Sequence, residues 1–351
     1  MPILILYNKL LIKENILKKI LKTLIITGLF LVVSYPYITH ARDRSWKSWF
    51  IEQYFWLKRD KSYYQIQDDS TFQQYLNASR EQSDQPYHLD PSTVNGQLTE
   101  EKSLFNMQVF TWNDKNNKEQ KTILYLAGGS YLNNPTRYHI SMLKNLSEQL
   151  DAKIVLPIYP KTPRYSYDYA IPRLVNLYET VSETTDHLIF MGDSAGGGLA
   201  LALTYALHNE SNPRHLKQPE QLILLSPWLD VNLTHPDIPK YEGSDPILSA
   251  WGLRRIGELW AKSPDNTNHI YVSPKNGPTN YLSPTTIFTG TRDILYPDIR
   301  DYANRLKATG INKVIYIEKE DMNHVYPIYP IPEAVEAQEQ LIKIINGTYP
   351  Y

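Results

Sequence analysis

One serine in this chain lies in a sequence pattern suited to nucleophilic catalysis. Residues 192–196 have the sequence Gly-Asp-Ser-Ala-Gly, between the apolar run 187–191 and an Ala- and Leu-rich stretch that begins at Ala195. A sharp turn from strand to helix with this pattern presents the serine hydroxyl, and it needs glycine where a side chain would collide with neighbouring backbone. The start of the helix also brings unpaired N–H groups to the place where an oxyanion would form. We therefore expect Ser194 to act as a nucleophile.

A serine hydroxyl is a weak nucleophile, so it needs a histidine base and a carboxylate that orients the base. Asp293 lies in a turn directly after the apolar run 286–289, and His324 lies in a loop between the run 314–317 and the last helical stretch. Both follow Ser194 in the chain order serine, acid, histidine that accompanies this type of turn. We predict that Asp293 orients His324 and that His324 is the base.

Other acids and histidines compete with this pair. Asp298 and Asp301 fall in the helical stretch after Asp293, where we expect their carboxylates to be solvated. Five histidines have no matching position in a loop after a strand, and we interpret them as structural: His187, His208, His215, His235 and His269.

The body of the chain predicts the fold that must position these residues. After residue 101, short apolar runs alternate with amphipathic stretches, which is typical of an α/β protein with a mostly parallel sheet flanked by helices. The predicted buried strands are 123–126, 154–158, 188–191, 222–225, 286–289 and 314–317. The predicted helices are 138–150, 170–182, 195–207, 298–308 and 332–345, and an excursion over 232–284 contains one amphipathic piece, 248–262. A Gly-Gly pair after the first of these strands offers backbone N–H groups for an oxyanion hole.

Residues from about 105 to 346 resemble the hormone-sensitive-lipase-like group of the α/β-hydrolase superfamily, a family of carboxylesterases. The family's Gly-Asp-Ser-Ala-Gly-Gly motif matches residues 192–197, and its Ser-Pro-Trp segment matches the start of 226–230. Its Tyr-Arg-Leu-Ala-Pro segment is only loosely similar to 159–163. In its His-Gly-Gly-Gly motif, Ala127 replaces the histidine and Ser130 replaces the last glycine.

The resemblance implies an α/β-hydrolase fold with an N-terminal or inserted cap, and a serine carboxylesterase or lipase that forms an acyl-enzyme on Ser194. Short-chain acyl or acetyl esters are the expected substrates. By position in the motifs, the backbone N–H groups of Gly129, Ser130 and Ala195 would form the oxyanion hole. Because the donors are backbone groups, the two replacements put substrate preference in question more than chemistry.

Two other functions stay open. An acyltransferase or deacylase acting on envelope or lipid acyl groups would use the same acyl-enzyme, and the sequence does not separate it from a hydrolase. A noncatalytic ligand-binding protein of this fold, as in the plant gibberellin receptors that resemble the family, is disfavoured by the presence of serine, acid and histidine in order.

The composition of the chain limits the classes of ligand and partner that it can bind. The chain has 351 residues with 36 basic and 37 acidic side chains, a net charge of −1, and no cysteine. A neutral balance provides no basic field for nucleic acid, and the lack of cysteine excludes disulfide frameworks, cysteine-ligated metals and thiolate nucleophiles. No metal-ligand spacing or dinucleotide-binding glycine pattern occurs, so we expect no cofactor and no metal. A small-molecule or lipid ester is the expected ligand.

The N-terminus predicts membrane targeting. Five lysines precede the uncharged apolar stretch 23–38, which as a helix is about 24 Å long against a hydrocarbon core of about 30 Å. We predict a signal anchor or cleaved signal peptide over 1–45, a cap or linker over 46–104, and the catalytic domain over 105–351. The protein would be membrane-anchored with an extracytoplasmic catalytic domain, or secreted. An amphipathic helix packed on the domain is the alternative.

Overall fold

A computed structural model describes residues 44–208, 216–310 and 313–350, together with residues 19, 21–23, 25 and 28. The predicted signal anchor or signal peptide over 1–45 lies almost entirely outside the described residues. Within those described residues, no helix combines the length and the apolar character needed to cross a bilayer.

An eight-stranded sheet forms the centre of the fold. Its strands are β1 (Leu98–Leu104), β2 (Met107–Trp112), β3 (Thr122–Leu126), β4 (Lys153–Ile158), β5 (Leu188–Asp193), β6 (Gln221–Leu225), β7 (Thr285–Gly290) and β8 (Val314–Lys319). Their spatial order is β1, β2, β4, β3, β5, β6, β7, β8. β2 pairs antiparallel with β1 and with β4, and every pair from β4 to β8 is parallel. All six predicted strands are confirmed to within two residues at each end.

Ten α-helices lie among the described residues around this sheet. They are α1 (Trp46–Lys58), α2 (Lys61–Tyr64), α3 (Asp69–Asp84), α4 (Arg137–Leu150), α5 (Tyr167–Ser182), α6 (Ser194–His208), α7 (Ile238–Glu242), α8 (Ala250–Ala261), α9 (Tyr296–Thr309) and α10 (Pro332–Ile345). The five predicted helices and the amphipathic piece correspond to α4, α5, α6, α9, α10 and α8, each within three residues at either end.

Two apolar clusters cover the two faces of the sheet. Alternate residues of β3 divide between them, with Leu124 and Leu126 in one cluster and Ile123 and Tyr125 in the other, as the period of two in a strand requires. Side chains of α5, α6, α8 and α9 complete the first cluster, and those of α4 and α10 complete the second. The parallel arrangement brings the carboxyl ends of β3, β5, β7 and β8 to one edge of the sheet.

Residues 46–104, the predicted cap or linker, contain regular secondary structure. They contain α1, α2 and α3, and at their end β1, which is the edge strand of the same sheet. The predicted excursion over 232–284 contains α7 and α8. A side chain at Gly252 on α8 would overlap the backbone of Tyr64 on α2, so these two helices are in direct contact.

Candidate active site

Residues 192–196, predicted to carry the nucleophile and here called the nucleophile turn, join β5 to α6 with Ser194 at the junction. Ser194 has φ 51°, a left-handed conformation that costs a non-glycine residue on the order of 1–3 kcal/mol and persists where the surroundings impose it. A Cβ atom at Gly192 would overlap the Gly196 carbonyl oxygen, and one at Gly196 would overlap the Leu126 carbonyl oxygen. Close approach of backbone therefore requires both glycines, as the sequence pattern predicts.

Ser194, His324 and Asp293 form one continuous chain of hydrogen bonds. His324 Nε2 lies 2.9 Å from Ser194 Oγ, and His324 Nδ1 lies 2.7 Å from Asp293 Oδ2. All three residues are buried. Because a carboxylate can only accept, Nδ1 carries the proton and donates it to Asp293, which leaves Nε2 to accept from the serine hydroxyl.

The charge environment favours the protonated form of His324. Burial alone would lower the pKa of the imidazole, but the charge and the hydrogen bond of Asp293 raise that pKa above its ordinary value. An imidazole that gains a proton when the serine is deprotonated is therefore stabilised by its partner. The arrangement can transfer a proton from Ser194 to His324.

Asp245 supports the turn that carries Asp293, and sequence reasoning missed it. Its Oδ2 accepts a hydrogen bond of 2.9 Å from the N–H of Ile294, the residue after Asp293. Its Oδ1 accepts from the N–H groups of Ile247 (2.7 Å) and Leu248 (2.9 Å). Burial and the nearby Asp293 charge raise the pKa of Asp245 to about 6. No local sequence signal identifies this acid, because it lies in the excursion and meets Ile294 only in the folded chain.

The loop after β3 lies beside the nucleophile turn. Leu126 pairs with Gly192 in the parallel register of β3 and β5, so the two loops leave the sheet next to each other. The Gly128 N–H donates to Asp193 Oδ1 at 2.8 Å, and the Tyr125 hydroxyl donates to the same oxygen at 2.6 Å. The carboxylate beside Ser194 therefore anchors this loop.

His139, on α4, completes the support of Asp193. Its Nε2 lies 3.2 Å from Asp193 Oδ2, and its Nδ1 accepts from the Thr136 N–H at 2.9 Å. Burial alone would raise the pKa of Asp193, but His139, together with the Tyr125 hydroxyl and the Gly128 N–H, lowers it below its ordinary value. His139 was not predicted, although its place three residues after Thr136 is that of a capping-box residue.

Of the three predicted oxyanion donors, Gly129 and Ser130 lie in the loop after β3 and Ala195 lies at the start of α6. Gly129, Ser130 and Tyr131 have successive positive φ values of 133°, 54° and 58°, which turn the backbone away from an extended path. Within the described part of the chain, the N–H groups of Gly129 and Ser130 have no protein acceptor. Ala195 lies in the first turn of α6, where N–H groups have no partner within the helix.

The expectation that Asp298 and Asp301 are solvated is wrong for Asp298 and confirmed for Asp301. Asp298 is buried, not solvated, and its Oδ1 lies 3.0 Å from Lys275 Nζ. Burial raises the pKa of Asp298. Lys275 lies in the excursion over 232–284, so the helical period of α9 could not predict that it would contact Asp298. Asp301 is exposed and pairs with His235 at 2.9 Å, and neither acid contacts His324.

Comparison with known proteins identifies relatives of this chain. A family model described as the alpha/beta hydrolase fold matches residues 123–328. An acetyl-hydrolase of Streptomyces hygroscopicus is 27% identical over 238 residues, 66% of this chain and 78% of that protein. An esterase of Acinetobacter venetianus is 24% identical over 192 residues, 54% of this chain and 62% of that protein.

A solved structure gives the same result in three dimensions. A Staphylococcus aureus protein proposed to be an esterase superposes with a TM-score of 0.72 at 31% identity, covering 81% of this chain and 95% of that one. The family match extends over more than half of this chain, and the nucleophile turn lies within it. The chain therefore belongs to the α/β-hydrolase family, as a carboxylesterase- or lipase-type hydrolase.

Proposed function

We propose that this protein hydrolyses carboxylic esters through an acyl-enzyme on Ser194, with His324 as the base and Asp293 as the residue that orients it. The observation that carries this proposal is the unbroken chain of short contacts, 2.7 Å from Asp293 to His324 and 2.9 Å from His324 to Ser194. Each of the three groups is the chemical type that its role requires.

In acylation, Ser194 Oγ attacks the carbonyl carbon of the ester while its proton passes to His324 Nε2. The C–O bond to the alcohol then breaks, and His324 returns the proton to the departing alkoxide oxygen. In deacylation, a water molecule gives a proton to His324 Nε2 and its oxygen attacks the acyl carbon. The tetrahedral intermediate collapses to the acid, and the proton returns to Ser194. The enzyme ends as it began, and one ester and one water become one acid and one alcohol.

The oxyanion of both tetrahedral intermediates would be bound by the backbone N–H groups of Gly129, Ser130 and Ala195. Fixed donors in a buried site stabilise developing charge more than the neutral carbonyl, so they act on the transition state. The free N–H groups of the loop and the N-terminal end of α6 support this assignment.

Short-chain acyl or acetyl esters are the proposed substrates. The support for this preference is the relative from Streptomyces hygroscopicus that is named as an acetyl-hydrolase. Small-molecule and lipid esters both remain within the class of esterases and lipases to which the chain belongs.

Hydrolysis of p-nitrophenyl acetate, butyrate and octanoate by the full chain tests the proposal. We expect turnover that is greatest for acetate or butyrate, and a loss of about 10⁴-fold or more in kcat for Ser194→Ala. Ser182→Ala, at the C-terminal end of α5, is the matched control and should retain full activity. A folded wild-type protein that hydrolyses none of these esters would refute the proposal, as would an active Ser194→Ala variant.

We also propose that the protein is membrane-anchored with an extracytoplasmic catalytic domain, or secreted. The lysine-rich start and apolar stretch of residues 1–38 support this. A row of exposed side chains on α1 supports it further, since aromatic residues favour the membrane interface; the row consists of Trp46, Phe50, Tyr54 and Leu57. Cell fractionation with N-terminal sequencing of the mature protein tests it. A full-length protein in the cytoplasmic fraction alone would contradict it.

A further inference from the structure

We propose that α2, a single helical turn in the N-terminal segment, is a structural support, here called the strut, that positions two parts of the candidate site. The first is the loop after β3 that carries Gly129 and Ser130, here called the oxyanion loop, and the second is the turn that carries Asp293. Tyr64 and Lys61 are its positioning residues. The proposal rests on the function proposed above, because it assigns these residues an effect on transition-state stabilisation.

The Tyr64 arm of the strut contacts the oxyanion loop. Tyr64 Oη lies 2.9 Å from Ser130 Oγ, and both residues are buried. Ser130 occupies the position where the motif described above has glycine, so the hydroxyl that makes this contact is a departure from that motif. Ser130 also has a left-handed φ of 54°, which glycine would adopt without strain. A hydrogen bond to a fixed tyrosine offsets part of that strain and fixes the backbone N–H that would bind the oxyanion.

The Lys61 arm contacts the 242–248 turn. Lys61 is buried, and its ammonium donates to the backbone carbonyl of Asp245 at 2.9 Å and to that of Glu242. The side chain of Asp245 in turn accepts from the Ile294 N–H, directly after Asp293. Lys61 is therefore connected to Asp293 through two intervening residues, Asp245 and Ile294.

Neighbouring elements fix α2 in place between these two arms. Helices of four residues are not stable alone in water, so the position of α2 depends on its contacts. The absence of a side chain at Gly252 lets α8 lie directly against the Tyr64 backbone, and the Tyr64 ring belongs to the main apolar cluster. These contacts hold the strut in one position relative to the oxyanion loop and the 242–248 turn.

A residue that positions the oxyanion donors has a distinctive kinetic effect. The oxyanion exists only in the transition state and intermediates, so loss of the Tyr64–Ser130 bond should lower kcat with little change in KM. The loss of one neutral hydrogen bond corresponds to about a 5-fold change in rate, and a loop that is also less well positioned loses somewhat more. We expect kcat to fall about 5- to 10-fold.

The experiment compares Tyr64→Phe, Ser130→Ala and the double variant in the full chain, with p-nitrophenyl butyrate as substrate. Each single change removes the same hydrogen bond from one side, so each should lower kcat by a similar factor and leave KM within about twofold of wild type. The double variant should be no slower than the slower single variant. Tyr63→Phe is the matched control, because Tyr63 is exposed and stacks on Tyr75 at 5.0 Å. Circular dichroism and the unfolding midpoint of each variant check the fold.

The possible results separate the proposals. Unchanged kcat in both folded single variants, a rise confined to KM, or strictly multiplicative effects in the double variant would overturn the strut. If Tyr64→Phe fails to fold, Ser130→Ala alone decides between these outcomes. A folded wild-type chain without ester hydrolysis would instead refute the proposed function itself. For the other arm, we expect Lys61→Met to lower kcat as well, and an unchanged kcat in the folded variant would refute that arm.

Discussion

Replacement of Asp193 by asparagine tests whether this carboxylate anchors the oxyanion loop. Its Oδ1 accepts from the Tyr125 hydroxyl (2.6 Å) and the Gly128 N–H (2.8 Å), and its Oδ2 faces His139 Nε2 at 3.2 Å. His139 Nδ1 accepts from the Thr136 N–H at 2.9 Å. That contact fixes the proton on Nε2, so His139 is a donor toward Asp193 and cannot accept without losing its bond to Thr136.

The cost of Asp193→Asn can be worked out from these contacts. An asparagine keeps one acceptor oxygen for Tyr125 and Gly128, but its NH₂ group then faces the Nε2–H of His139, and the reverse orientation faces two donors. An unmatched buried donor costs about 1–3 kcal/mol, and two bonds that lose charge assistance weaken by about 1 kcal/mol each. Because a neutral amide costs less to bury than a charged carboxylate, part of this lost free energy is recovered. We expect the free energy of unfolding to fall by about 2–4 kcal/mol.

Urea unfolding followed by circular dichroism measures this loss, and p-nitrophenyl butyrate hydrolysis measures the effect on catalysis. Because Gly128 precedes two of the proposed oxyanion donors, we expect kcat to fall about 10- to 100-fold with a smaller change in KM. Asp186→Asn, an exposed acid before β5, is the matched control. A variant with an unfolding free energy within about 0.5 kcal/mol of wild type and an unchanged kcat would refute the anchoring role.

The surrounding contacts predict three other results. His139→Gln should keep the melting temperature nearly unchanged, since glutamine can accept from the Thr136 N–H and donate to the Asp193 carboxylate, whereas His139→Glu should lower it; equal melting temperatures would contradict this. Asp293→Asn should lower kcat about 10⁴-fold and Asp298→Asn less than tenfold, and the reverse order would show that the acid is misassigned. Since the base must be neutral and the pKa of His324 is raised, kcat/KM should decline as pH falls through a midpoint above about 6.5; a midpoint below 6 would be inconsistent with it.

The sequence predicted the central strands well because they are buried on both faces. Fully buried strands such as β3 and β5 are continuous apolar runs, which composition alone distinguishes from their surroundings. β1, with the sequence Leu-Thr-Glu-Glu-Lys-Ser-Leu, pairs on one side only and is mostly polar, so no apolar run marks it. α1 has aromatic side chains on its buried and exposed faces alike, which hides its helical period.

The residues of the candidate site also fall into two groups, those that the sequence predicts and those that it does not. Ser194, Asp293 and His324 each follow a predictable strand, and they occur in the chain order that accompanies this type of turn. Asp245 and Tyr64 act through contacts with residues 49 and 66 positions away. No spacing rule connects such residues, so they could be found only from the folded chain.

Contacts of Glu52 and Tyr64 join the N-terminal helices directly to the candidate active site. Glu52 on α1 is buried and accepts from Arg44 at 2.6 Å and from Arg292 at 3.0 Å, and Arg292 directly precedes Asp293. A buried carboxylate between two guanidinium groups is stable only while its partners remain, and loss of one leaves an uncompensated charge. A chain cut at the predicted boundary between residues 104 and 105 would remove Glu52 and leave Arg292, beside Asp293, with only its longer ion pair of 3.6 Å to Asp321. It would remove Tyr64 from Ser130 as well, so the helices before the sheet contribute to positioning the acid and the oxyanion loop rather than only covering them.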